Sequence, residues 1–239
     1  TKGYFTSIAL THTVSSGGKI YATGEENALY ILNGETLNFE NRIYLPFVPT
    51  GLEKAGNKIY AFSENIKTLA VYRTDIKEIA FYTAPDKITD MAVSEKHISL
   101  VCRGDLYVYD MSGNKLLEKT HEDYLSVTFS EDGKNLYTVL YKSFYTILAS
   151  FSIPLCEKEY ERILDYEIKN IFCDDTYLYI NTASYFAQNG GIAASCSGKI
   201  YGRFSNVFIT ENGAFTSGKY ISSMNASGEA FIGGENELF

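Results

Sequence analysis

Histidines and paired carboxylates are the residues of this 239-residue chain that could carry proton or metal chemistry. His12, His97 and His121 stand far apart and form neither an HxxxH nor an HExxH spacing, so they define no zinc-binding face. His12 could face a central channel, but a lone imidazole without an arranged partner is no general base. His97 reads as the edge of a strand, and His121 as a residue orienting a corner through Asp123 or a backbone group. The acidic pairs Glu25-Glu26, Glu122-Asp123, Glu131-Asp132 and Asp174-Asp175 all fall in turn-like stretches, where carboxylates serve solvation and turn geometry. No run alternates oxygen ligands around a glycine as a calcium loop requires. No GxSxG, P-loop or strand-linked GxGxxG occurs, and Ser184 has no base set beside it. Cys102, Cys156, Cys173 and Cys196 lack a CxxC pair. They read first as thiols, then as a disulfide pair in an oxidising compartment, and last as a metal site. The sequence assigns no catalytic residue, no metal and no cofactor.

The elements that would hold these residues recur at a fixed period. Lys19-Ile20-Tyr21, Lys58-Ile59-Tyr60, His97-Ile98-Ser99, Asn135-Leu136-Tyr137, Tyr177-Leu178-Tyr179 and Gly213-Ala214-Phe215 follow one another at steps of 39, 39, 38, 42 and 36 residues. A second ladder of tight turns runs through Asn33-Gly34-Glu35, Ser112-Gly113-Asn114, Ser197-Gly198-Lys199 and Ser227-Gly228-Glu229. Thr74-Asp75 and Ile153-Pro154 replace it in units two and four. Glycine there supplies the positive φ of a hairpin turn. Between the markers apolar residues alternate with period two, as in Leu106 and Val108 against Tyr107 and Tyr109. Tyr160–Tyr166 is the nearest approach to a helical pattern, and a strand entering a corner explains it equally well. A 15% aromatic content of Tyr and Phe, with no Trp, also favours sheet with one face packed and one wet.

Four strands in about forty residues, repeated six times, predict an all-β fold. The expected architecture is a β-propeller of six four-stranded antiparallel blades, with seven blades as the alternative. A sheet apolar on both faces buries them by stacking radially against its neighbours. The units are placed at 11–49, 50–88, 89–126, 127–168, 169–205 and 206–239 in one domain, with 1–10 as the closing strand. Tyr4–Ile8 is expected to join the last blade.

The best-preserved unit, residues 105–139, resembles WD-repeat and YVTN-type propellers. Leu106-Tyr107-Val108-Tyr109-Asp110 looks like the family's strand ending in Trp-Asp, with Tyr for Trp. Thr120-His121-Glu122-Asp123 resembles its Gly-His corner, and Phe129-Ser130-Glu131-Asp132-Gly133-Lys134 its turn. Elsewhere only the spacing persists. The resemblance implies a rigid platform for partners and names none of them.

Net charge is −8, which disfavours nucleic acid and anionic membrane surfaces, and no apolar run reaches the ~20 residues of a spanning helix. The expected partner is a protein or peptide, with no nucleic acid and no membrane insertion; oligomeric state stays open. So does compartment: cytoplasmic, or periplasmic or secreted if a leader has been removed. Connections from second to third strand, and from outer strand to the next unit, share one face, where loops are free to carry function. The partner-binding candidates there are Phe47, Arg103, Glu122, Asp123, Phe144, Tyr145, Tyr185, Phe186 and Arg203. Ala183–Gly191 is the longest departure from the repeat, and its Tyr185 and Phe186 read either as an aromatic anchor or as a plug folding back over the channel. A non-catalytic binding or scaffold module is the functional expectation. The alternative is a small-ligand-binding or hydrolytic propeller that uses its central channel.

Overall fold

All six anchor triplets open the second strand of a four-stranded sheet in the structure, a computed structural model. It describes residues 10–64, 66–164, 167–173, 177–183, 190–195, 200–205, 207–210, 213–216, 220–224 and 230–234, with side chains up to 164 and at 168, 171, 173 and 178–180. The first sheet is β1 (Leu10–Ser16), β2 (Lys19–Gly24), β3 (Ala28–Asn33) and β4 (Phe39–Tyr44). The second is β5 (Gly51–Ala55), β6 (Lys58–Phe62), β7 (Thr68–Arg73) and β8 (Glu78–Thr83). The third is β9 (Ile88–Val93), β10 (His97–Cys102), β11 (Asp105–Asp110) and β12 (Lys115–Lys119). The fourth is β13 (Asp123–Phe129), β14 (Asn135–Lys142), β15 (Tyr145–Ser152) and β16 (Glu157–Leu164). Then come β17 (Glu167–Cys173), β18 (Tyr177–Ala183), β19 (Gly190–Ser195) and β20 (Ile200–Ser205). The last sheet is β21 (Val207–Thr210), β22 (Gly213–Thr216), β23 (Tyr220–Met224) and β24 (Ala230–Gly234). Each is an antiparallel meander in chain order.

Two unit boundaries need correction. The break expected at 126/127 falls inside β13, and that at 168/169 inside β17; those at 10/11 and 88/89 miss by a single residue. The fourth sheet has eight-residue strands β14, β15 and β16, which absorb the 42-residue step and displace the borders around it. The closing strand expected within 1–10 lies outside the described residues, apart from Leu10.

Both faces of the second, third and fourth sheets are buried, and alternate side chains go to opposite neighbours. From β6 and β7, Ile59, Ala61, Ala70 and Tyr72 pack toward the first sheet. Tyr60, Phe62, Leu69 and Val71 pack toward the third. From β14, Leu136 and Leu140 face the third sheet while Tyr137 and Val139 face the fifth. Each fully buried large side chain contributes about 1.5–3 kcal/mol, so cohesion lies between sheets. The tyrosines differ from expectation. Tyr60 and Tyr137 are wholly buried and not half-wet, because the second strand has a sheet on either side. Tyr60 keeps its hydroxyl satisfied by donating to Met111 Sδ at 3.6 Å.

Successive first strands lie beside one another, β1 by β5, β5 by β9, β9 by β13 and β13 by β17, which makes them the inner strands. The fourth strands are the outer edges. β4, β12 and β16 carry Glu40 and Arg42, Lys115, Glu118 and Lys119, and five charges from Glu157 to Arg162, which guard an edge against pairing with other chains. β8 has only Glu78, with Phe81 48% and Tyr82 58% exposed. Phe81→Lys is expected to change stability by no more than about 0.5 kcal/mol. It should also raise the concentration at which the protein stays monodisperse in size-exclusion chromatography with light scattering. No gain in monodispersity would show that β8 is not the exposed weak edge.

Candidate partner-binding site

The repeat's motif residues build turns. Asp110 Oδ1 accepts the Ser112 and Asn114 backbone N–H groups at 2.8 and 2.9 Å. Asp132 accepts from the Ser130 hydroxyl at 2.8 Å and the Lys134 N–H at 3.0 Å, and Lys134 Nζ lies 2.7 Å away. These contacts hold its carboxyl at about 2. The His97 ring lies tilted beside Phe129, centroids 6.2 Å apart, and burial lowers its pKa. Among the described residues no group of three or more His, Cys, Asp or Glu is placed to hold a metal, and Cys102, Cys156 and Cys173 are free thiols.

Besides His12, the inner strands hold polar residues that sequence reasoning missed. β1, β9, β13 and β17 each bulge at one residue, Thr11, Thr89, Leu125 and Lys169. The next residue, His12, Asp90, Ser126 or Asn170, pairs with the same register position of the second strand. β5 has Gly51 there without a bulge, and the Phe62 ring occupies the space a Cβ would need, at 2.1 Å. Asp90 Oδ1 accepts the Met91 N–H and Oδ2 the Val127 N–H, each at 2.9 Å, and the Ser126 hydroxyl also bonds to it. Ser126 Oγ in turn accepts the Ile171 N–H at 3.2 Å. One polar chain thus staples β9, β13 and β17. Asp90 is half-buried by surface area, yet protein surrounds its carboxyl on the inner strand, and this desolvation outweighs its three donors and pushes its carboxyl up to about 6. Its signal in the sequence is one carboxylate in a strand, Ile88–Val93, that is apolar apart from it and Thr89.

The strand alternation of an antiparallel meander puts the second-to-third turns and the sheet-to-sheet connections at one end. On that end Arg103-Gly104 and Ser143-Phe144 are two-residue turns with φ of 49 and 85°, and 50 and 73°. These are type I′ turns, whose second position favours glycine. Gly104 fits: its φ is positive, and a Cβ there would crowd the Glu122 carbonyl oxygen at 3.3 Å. The Tyr124 N–H donates to the Gly104 carbonyl at 2.9 Å and the His121 N–H to Asp105 Oδ1 at 2.9 Å, clamping the connection that carries Glu122 and Asp123. His121 therefore orients its corner through its backbone, not its ring. The Tyr124 hydroxyl donates to Glu122 Oε2 at 2.9 Å, and burial with that bond raises the phenol's pKa.

Phe144 fills the position that glycine holds in the neighbouring turn, and it is 91% exposed. Tyr141 and Tyr145 beside it are 44% and 53% exposed. A pocket of about 490 Å³ opens between Thr120–Asp123 and Leu140–Phe144. Of the sequence candidates, the structure brings Glu122, Asp123 and Phe144 to this pocket, with Tyr145 next to it. Arg103 is turned away, its Nη1 3.7 Å from Asp86 Oδ2, while Asp86 Oδ1 meets Lys67 Nζ at 3.2 Å. Phe47 is corrected outright. It is 6% exposed in the core with Val14, Leu45 and Leu52, because the connection 45–50 is long enough to fold back between the first two sheets. Arg203 lies within β20 and not in a loop. Tyr185 and Phe186 lie outside the described residues.

No family model matches the chain, and no curated protein matches it. Solved structures do. The chain is similar to hydrazine synthase of Kuenenia stuttgartiensis with a TM-score of 0.69 over 97% of this chain and 78% of that one, at 15% identity. The fold is a β-propeller. Identity at that level carries the architecture and nothing of the other protein's chemistry. The pocket therefore sits at the junction of blades three and four.

Proposed function

We propose that this propeller is a non-catalytic binding module that engages a protein or peptide through the loop face at blades three and four. The observation that carries the reading is Phe144. A bulky residue in the left-handed region is a conformational outlier that costs about 1–2 kcal/mol, and such strain clusters at ligand contacts. Phe144 is almost fully exposed, so packing within the chain does not offset that cost. Exposed Tyr141 lines the same pocket, and aromatic residues concentrate contact energy at interfaces. The resemblance of residues 105–139 to WD-repeat and YVTN-type propellers supports a platform role in the same sense.

The test is a displayed random-peptide selection on the wild-type protein, with each enriched sequence re-measured on Phe144→Gly. Binding families that weaken at least about tenfold on the variant are expected, the range of an interface anchor. Enriched peptides that bind both proteins equally would reject the site.

A further inference from the structure

We propose that the pocket between Thr120–Asp123 and Leu140–Phe144 receives an arginine side chain presented by the peptide partner. This rests on reading the blade three and four loops as the partner-binding surface. Elsewhere on this end Glu26 pairs with Arg42 at 3.1 Å, and Asp86 with Lys67 and Arg103. Glu122 and Asp123 have no cationic side chain within 4.0 Å among the described residues, although both line the pocket. Glu122 keeps Tyr124 on one oxygen, which fixes its carboxylate in place and leaves its other oxygen for a ligand. Leu140, Tyr141 and Phe144 line the same pocket, Tyr141 as the cross-strand partner of Asp123.

Two carboxylates beside apolar and aromatic residues match the guanidinium group. It is planar, bonds carboxylates through two parallel N–H groups, stacks on aromatic faces and is weakly hydrated. Ammonium has the charge without the plane, so lysine is the poorer fit. Lys142 also lines the pocket and opposes a cation. Its presence gives the inference a sign: removing it must tighten binding.

The probe is N-acetyl-argininamide, titrated into the protein and followed by the backbone amide shifts of residues 120–123 and 141–145. Saturable shifts are expected, with N-acetyl-lysinamide at least about fivefold weaker. Glu122→Gln combined with Asp123→Asn should weaken argininamide by about tenfold, since it removes both charge-assisted acceptors. Lys142→Gln should tighten it by about twofold. Equal binding of the two cations, indifference to the carboxylates, or weaker binding on Lys142→Gln would overturn the inference. The peptide selection separates the two levels. Phe144-dependent peptides that keep their affinity when every arginine becomes glutamine would leave the binding module and remove the arginine pocket. Saturable argininamide binding with no Phe144-dependent peptide would do the reverse.

Discussion

Replacing Phe144 by glycine is expected to make the protein more stable while it weakens the binding of peptides selected on the wild type. At φ 73° the phenylalanine pays the left-handed penalty of about 1–2 kcal/mol, which glycine does not. Glycine gives back about 0.5–1 kcal/mol by loosening the unfolded chain. Little apolar burial is lost, because the side chain is 91% exposed. The balance favours glycine by up to about 1 kcal/mol, a rise in melting temperature of about 2–4 °C for a chain of this size. Phe144→Ala separates the two effects, because alanine keeps the strained backbone and removes the ring. It should melt close to wild type and bind as poorly as the glycine variant. Calorimetry and peptide affinity on the three proteins read both quantities. A glycine variant destabilised by more than about 1 kcal/mol would mean that the ring holds this hairpin together, and the partner-anchor reading would fall.

The parts of this molecule that repeat were legible in its sequence. Lys19, Lys58, His97, Asn135, Tyr177 and Gly213 each open a second strand, and in the first four sheets that strand is largely buried, which constrains its composition. The turns at Asp110 and Asp132 were legible for a related reason: a carboxylate must accept specific backbone N–H groups there. Phe47 was misread because a Pro-flanked loop residue looks exposed until the length of its connection is known. The bulges at Thr11, Thr89 and Leu125 leave no mark in composition, since a one-residue slip changes register and not residue type. Phe144 was found as a loop aromatic. Its backbone strain, the feature that distinguishes it from Tyr145, exists only in the folded turn.

Asp90 should make stability fall as pH rises through 6. Its folded carboxyl sits at about 6 and its unfolded value is about 3.9. Between these values the folded state holds a proton that the unfolded state has released, so acidification from pH 7 stabilises the fold through this group. The gain begins near 6 and is complete near 4, on the order of 2–3 kcal/mol. Glu40, Asp86, Asp110 and Asp132 oppose it. Their carboxyls are lowered by the Lys19 bond to Glu40, the Lys87 N–H to Asp86, the Asn114 side chain to Asp110 and the Lys134 side chain to Asp132. Their stabilisation is lost as pH falls below about 4–5. The two trends place maximum stability near pH 5. Asp90→Ala removes the acceptor for the Val127 N–H and the Ser126 hydroxyl, leaving buried donors at about 1–3 kcal/mol each. At pH 8 the same substitution also removes a desolvated charge, which returns part of that loss. The variant should therefore be destabilised more at pH 5 than at pH 8, measured by urea unfolding at both. A destabilisation equal at the two pH values would mean that the carboxyl titrates normally and that the staple between blades three and four is an ordinary solvated bond.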